Sequence, residues 1–209
     1  MSSHVETLLA KIGDHTATVG VVGLGYVGLP FAVEKAKVGF RVLGVEQNPA
    51  RAAKINRREN YIRDVRDEEL SELVGQGLIR AETGFDRVPE MDLIVICVPT
   101  PLTKNLTPDL RYVESVTREI AQRLRPGQLV SLESTTYPGT TEEVMLPILE
   151  ASGLRVEEDF FLVHSPERVD PGNKRYTTKN TTKIIGAVGP RSLEVGQAFY
   201  SQTIERMVP

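Results

Sequence analysis

Apolar and polar positions alternate along the chain with two different periods, and the periods assign the elements. Val5, Leu8, Leu9 and Ile12 share one helical face and predict a short leading helix over 5–13. A β-branched run over 17–22 then meets a cluster of glycines, and a helix-compatible segment runs on to about Val38, with Gly39 as its C-terminal stop. A second strand covers 41–46. Asn48 and Pro49 suit a helix start, as cap and first-turn residue, for a helix ending near Asn60. Another begins at Asp67, with acids in its first turn as the dipole prefers, and ends near Gly75 or Gly77. Residues 78–81 read as a short third strand. Residues 92–98 are so continuously apolar that they read as a buried parallel strand. Pro99 and Pro101 stop both ladder and helix, so a rigid loop follows. Beyond it the pattern predicts a helix over 109–124, a strand over 129–132, a helix ending near Leu149, and a strand over 160–163. A polar surface loop over 173–182, a strand over 183–188 and a helix over 190–200 complete the chain.

Strands alternating with helices imply right-handed crossovers. The predicted fold is α/β: a Rossmann-like, doubly wound, mostly parallel sheet with helices on both faces, as one domain over 1–209. In such sheets ligands bind outside the carboxyl ends of the strands. Gly25, Glu46, Thr100, Thr135 and Glu167 all fall just past predicted strand ends, so one edge of the sheet collects them. Gly23-x-Gly25-x-x-Gly28 sits where the first strand hands over to its helix, the context in which this motif binds dinucleotides. Gly23 allows the tight turn, Gly25 the close approach of a pyrophosphate, and Gly28 the packing of helix on strand. The helix N-terminus offers N–H groups and partial positive charge to phosphates. Glu46, roughly 20 residues past the last glycine, is placed to accept from the adenosine ribose hydroxyls and to repel a 2′-phosphate, so the cofactor expected is NAD rather than NADP. The rival reading is an ordinary glycine turn with no ligand.

Composition adds mainly exclusions. The 209 residues are 40% hydrophobic and 25% charged with a net charge of −3. That is ordinarily globular, and nothing in the balance points to nucleic acid or an anionic membrane surface. Residues 1–18 lack the apolar core of a signal peptide, and no run reaches the roughly 18 apolar residues of a membrane span. A single cysteine excludes an internal disulfide and fits a reducing cytosol. Cys97 lies in the apolar 92–98 run and reads as a packing residue inside that strand, away from solvent. No metal is expected.

Four blocks carry a resemblance: VGLGYVGLP at 22–30, CVPTPL at 97–102, ESTTYPGTT at 133–141 and SPERVDPG at 165–172. Together, and in this order, they resemble the UDP-glucose/GDP-mannose dehydrogenase family. SPER with the ESTTYPGTT form looks most like its UDP-N-acetylglucosamine 6-dehydrogenase branch. The resemblance implies oxidation of a UDP-sugar C6 alcohol with reduction of two NAD, giving a uronic acid for surface polysaccharide. Family members are about twice this long. A catalytic cysteine, a lysine and an asparagine lie beyond the matched region, so the chain resembles the N-terminal NAD-binding domain without the central helix or the C-terminal UDP-binding domain. Residues 204–209 resemble the last strand before that helix. Family dimers form largely through it, which implies a homo-oligomer for the full-length protein and leaves the state of this chain open.

By resemblance, Tyr26 and Val27 join Gly23, Gly25 and Gly28 in the pyrophosphate loop, Glu46 meets the ribose, and Arg51 the adenosine side. The family usually has Asp where Glu46 stands, and the alternative for Arg51 is a solvated helix charge. Thr100 matches a cofactor-contacting threonine, against a purely turn-forming role. Thr135 matches the threonine beside the nicotinamide, against the reading of an N-cap for the next helix. Glu167 matches a glutamate near the substrate that holds or activates the hydrolytic water, against a surface salt bridge with Arg168. Arg168 is a substrate-binding candidate. The UDP-glucose branch has a second glutamate where this chain has Pro171, a role open to Arg168 or Asp170. His164 reads as structural. Two other classes compete. One is a non-catalytic NAD-sensing domain. The other is a different α/β dehydrogenase, such as a hydroxy-acid enzyme, which the SPER block disfavours. UDP-ManNAc and UDP-glucose compete as substrates.

Overall fold

Leu93, Ile94, Val95 and Ile96 are all buried, and successive side chains go to opposite faces of the sheet. Leu93 and Val95 join a cluster with Leu8, Leu29, Phe31 and Phe199. Ile94 and Ile96 join one with Val113, Ile120, Val130 and Leu149. Two cores on one strand require helices on both sides, and a computed structural model, which describes residues 3–167 and 181–209, shows them.

The elements are α1 (His4–Gly13), β1 (Thr18–Val22), α2 (Gly28–Lys37), β2 (Arg41–Val45), α3 (Pro49–Asn56), α4 (Asp67–Gly75), β3 (Ile79–Glu82), β4 (Leu93–Ile96), α5 (Arg111–Ala121) and β5 (Gln128–Leu132). Then follow a π turn at Thr141–Met145, α6 (Leu146–Glu150), β6 (Phe160–His164), β7 (Lys183–Ile184), β8 (Gly186–Ala187), α7 (Pro190–Ser201) and β9 (Met207–Val208). The main sheet runs β3-β2-β1-β4-β5-β6-β8. Every pairing is parallel except β6 with β8. The fold is therefore Rossmann-like, mostly parallel, with α1, α2, α4 and α7 contributing to one core and α5 and α6 to the other. The order of the strands reverses between β1 and β4, and in sheets of this kind ligands bind in the crevice beyond the carboxyl ends at such a switch point.

Three details depart from the sequence reading. The strand expected over 183–188 is two. Ile185 is buried in the core between them, and β7 pairs with β9 in a separate ribbon while β8 closes the edge of the main sheet. The helix expected up to about Asn60 stops at Asn56. Cys97 lies one residue past β4 rather than within it, and it is partly exposed. Its N–H still donates to Val22 O at 2.8 Å, so the backbone pairing extends one residue beyond the strand proper. The polar 173–182 segment falls mostly outside the described residues, as do Arg168, Asp170 and Pro171.

Candidate active site

The glycine loop is built by the removal of side chains. Gly23 has φ +93°, and a Cβ there would stand 2.5 Å from the Cys97 carbonyl oxygen. At Gly28 a Cβ would stand 1.8 Å from the Gly23 carbonyl oxygen, so α2 lies directly on the loop. At Gly25 a Cβ would meet nothing within 4 Å, because this glycine faces open space. Gly23 thus makes the turn, Gly28 lets the helix pack on the loop, and Gly25 leaves its side of the loop open. Tyr26 is 61% exposed at the tip, and no side chain caps the α2 N-terminus behind Val27. Uncapped N–H groups and the helix dipole are suited to a pyrophosphate.

Glu46 ends just past β2 and is buried. Its Oε2 accepts from Leu24 N–H at 3.3 Å and its Oε1 from Asn48 N–H at 2.9 Å. A carboxylate has about four lone-pair sites, so acceptor capacity remains for ribose hydroxyls. Asn48 caps α3 as expected, accepting from Ala50 N–H at 2.9 Å. Arg51 is neither idle nor fully solvated, since its guanidinium lies 5.5 Å from the centroid of the Tyr61 ring. Tyr61 in turn donates to Leu24 O at 2.7 Å, and burial together with the Glu46 charge pushes its phenol up to about 12. Tyr61 thus walls the same corner. The sequence reading missed it because it lies after a helix in a stretch without periodicity.

Across the switch point, Thr100 Oγ1 donates to Thr135 O at 2.7 Å and Ser134 Oγ donates to Val98 O at 2.7 Å. These bonds lace the loops after β4 and β5 together. Thr100 therefore does shape the turn, and its hydroxyl can still accept. Thr135 is exposed and six positions before the first helical residue, so it is not the N-cap. His164 approaches Ser134 O at 3.4 Å, and burial lowers its imidazole from the ordinary value.

Glu167 is placed by its own backbone, whose N–H donates to Glu133 O at 3.0 Å. The partner that its side chain shows is Lys183, at 3.7 Å. Lys183 Nζ also lies 2.7 Å from Glu133 Oε2. Glu133 is fully buried, and burial pushes its carboxyl up to about 7 against the pull of Lys183. For Lys183, burial is the largest single effect and lowers it, but the two carboxylates together outweigh burial and leave it raised. Cys97 feels Glu133 and Glu167 as well, and burial first, then these charges, push its thiol well above 9. Such a thiol is a poor nucleophile. Neither Glu133 nor Lys183 stood out in sequence. The one available signal was an acid directly after a buried strand, the same placement that marks Glu46.

A glycine-cradled helix terminus at the switch point of a parallel sheet, with an acid closing the next strand, defines a dinucleotide-binding domain. Residues 17–204 match the model of the UDP-glucose/GDP-mannose dehydrogenase family, NAD binding domain, and the chain belongs to that family. It is 36% identical over 187 residues to a UDP-N-acetyl-D-glucosamine 6-dehydrogenase of Pseudomonas aeruginosa, covering 89% of this chain and 43% of that protein. Its structure is similar to that of an NDP-N-acetyl-D-galactosaminuronic acid dehydrogenase from Methanosarcina mazei, with a TM-score of 0.88 at 31% identity over 100% of this chain and 47% of that one. A UDP-D-ManNAc dehydrogenase from Pyrococcus horikoshii gives 0.85 at 34% identity, over 91% and 46%. The chain thus spans less than half the length of each of these three proteins. Its cofactor is NAD, and the open face at Gly25 fits one. Among the described residues no helix is long and apolar enough to cross a membrane.

Proposed function

We propose that this chain is the N-terminal half of a cytoplasmic, homo-oligomeric UDP-N-acetylglucosamine 6-dehydrogenase that makes a uronic acid for surface polysaccharide. UDP-ManNAc is an alternative substrate, because relatives named for N-acetylglucosamine and for N-acetylmannosamine match about equally well, and UDP-glucose is a further one. The observation that carries the reading is the carboxyl edge of the sheet. There the glycine loop and Glu46 lie on one side of the switch point, and Thr135 and Glu167 on the other. NAD supplies the hydride acceptor, and two are reduced per sugar.

Gly25, Tyr26 and Val27 at the uncapped α2 N-terminus would hold the pyrophosphate, Glu46 would accept from the ribose and Arg51 would flank the adenosine. Thr100 holds the loop after β4, and Thr135 offers a hydroxyl to a water or substrate oxygen. Oxidation beyond the aldehyde needs a thiol to add to the carbonyl, loss of a second hydride to give a thioester, and water to cleave it. Glu167 takes the proton of that water, the acid leaves, and the thiol is regenerated. Arg168 follows directly and contributes to substrate binding. Cys97, the chain's only thiol, is unsuited to this, so the nucleophile belongs to a region beyond residue 209.

The full-length protein should therefore release two NADH per UDP-N-acetylglucosamine, measured at 340 nm against the uronic acid formed. The 209-residue chain alone should release none. Steady NADH from the chain alone would show the nucleophile misplaced. A full-length protein that binds NAD but oxidises no nucleotide sugar would favour the NAD-sensing reading.

A further inference from the structure

We propose that Lys183, held by the buried carboxylate of Glu133, is a positioning residue that fixes Glu167 for the hydrolytic step. This role rests on the functional reading above. Lys183 arrives on β7 from a distant part of the sequence, and its Nζ lies between two carboxylates, 2.7 Å from Glu133 and 3.7 Å from Glu167. Glu133 is completely enclosed and cannot touch a substrate, whereas the Glu167 side chain retains 13% of its exposure. The ammonium has three donors, so binding Glu133 at close range leaves protons to restrain Glu167. Backbone reinforces the arrangement, because Glu167 N–H donates to the carbonyl of Glu133 itself.

As a device for stability alone the pair makes little sense. Removing two ions from water costs several kcal/mol each, and a hydrophobic pair of similar volume is often no less stable. What the ions provide is a fixed charge beside Glu167, the one of the two acids that is not fully enclosed. The other ionisable groups around them are Cys97 after β4, Tyr200 on α7 with its ring 5.5 Å from Lys183 Nζ, and Lys35 on α2. The Lys35 amine is spent on Phe199 O at 2.7 Å, and the Tyr200 hydroxyl pairs with that of Ser131 at 2.7 Å and bonds Glu133 as well, so neither takes the place of Lys183 beside Glu167.

The test uses the full-length enzyme with three variants: Lys183→Met, the double variant Glu133→Gln with Lys183→Met, and Glu167→Gln as reference. Lys183→Met strands a buried acid and should also lower thermal stability. The double variant removes that acid and should recover most of it. Both should nonetheless behave like Glu167→Gln: a burst of two NADH per active site, then slow turnover, with a covalent sugar adduct visible by intact-protein mass spectrometry. The loss expected in kcat is on the order of tenfold to a hundredfold, with NAD affinity changed by no more than about twofold. A double variant that hydrolyses at the wild-type rate with no adduct overturns the positioning role while leaving the functional reading intact. A wild-type enzyme that releases no NADH from any nucleotide sugar overturns that reading, and this role with it.

Discussion

The two sides of the switch point are built by opposite means. Around β1 and β2 the site is backbone: three glycines clear space, and main-chain N–H groups and a helix dipole supply the charge. Around β5, β6 and β7 the site is side chain: two acids and a lysine packed so tightly that Glu133 has no exposure. A site made by omission tolerates burial at no electrostatic cost and can be read locally. A site made of charges needs partners from distant segments, and burial shifts their protonation.

Substitutions sharpen the contrast. The largest effect is expected at Gly28, where a Cβ would collide with backbone that cannot swing away. Gly28→Val should cost upwards of ~3 kcal/mol and abolish NAD binding together, seen as a fall in the urea midpoint and a flat calorimetric titration. Gly25→Val tests the same loop where the Cβ meets open space. It should keep the unfolding free energy from urea denaturation within about 1 kcal/mol of wild type and still weaken NAD by roughly a hundredfold or more. If Gly25→Val binds NAD normally, the loop is only a turn and the comparison fails.

On the charged side the expected effect is one of pH rather than level. The Glu133 carboxyl holds its proton more tightly folded, at about 7, than its ordinary 4.5. Its contribution to stability is therefore fully present below about 4.5 and lost as pH rises through about 7. Glu133→Gln should flatten that part of the stability–pH curve, a change on the order of 2–3 kcal/mol across the window by chemical denaturation. An unchanged slope would mean that Lys183 fully compensates the burial. The smallest effect is on cofactor choice. NAD should bind more tightly than NADP, and Glu46→Gln, which removes the repelling charge, should narrow the gap by about tenfold in parallel titrations.

What could be read in the sequence follows the same division. The strand–glycine–helix–strand–acid series at 17–46 is contiguous, so spacing alone placed Gly23, Gly25, Gly28 and Glu46 just past the ends of β1 and β2, where the structure has them. The buried strand β4 declared itself by continuous apolar character. The Lys183–Glu133 pair did not, because its members stand 50 residues apart and each looks like an ordinary charge at the end of an apolar run. The division of 183–188 into β7 and β8 was equally hidden. Nothing in an alternating apolar pattern says that Ile185 turns into the core while its neighbours pair with different sheets. Tyr61 lay in a loop with no period to betray it.

The β7–β9 ribbon is only two residue pairs wide, with Lys183 N–H donating to Arg206 O at 3.0 Å and Ile185 N–H to Val208 O at 2.9 Å. It stands apart from the main sheet, and Ile184 and Val208 are largely solvent-facing. So short a ladder can open locally without unfolding the seven strands beside it. Lys183 is therefore clasped by a latch at residues 206–208, and whatever pulls on or steadies that latch acts at a distance on the carboxylates. Amides at 183, 185 and 208 should exchange with deuterium well ahead of those in β4 and β5. Their protection is a direct gauge of how firmly the charged half of the crevice is shut.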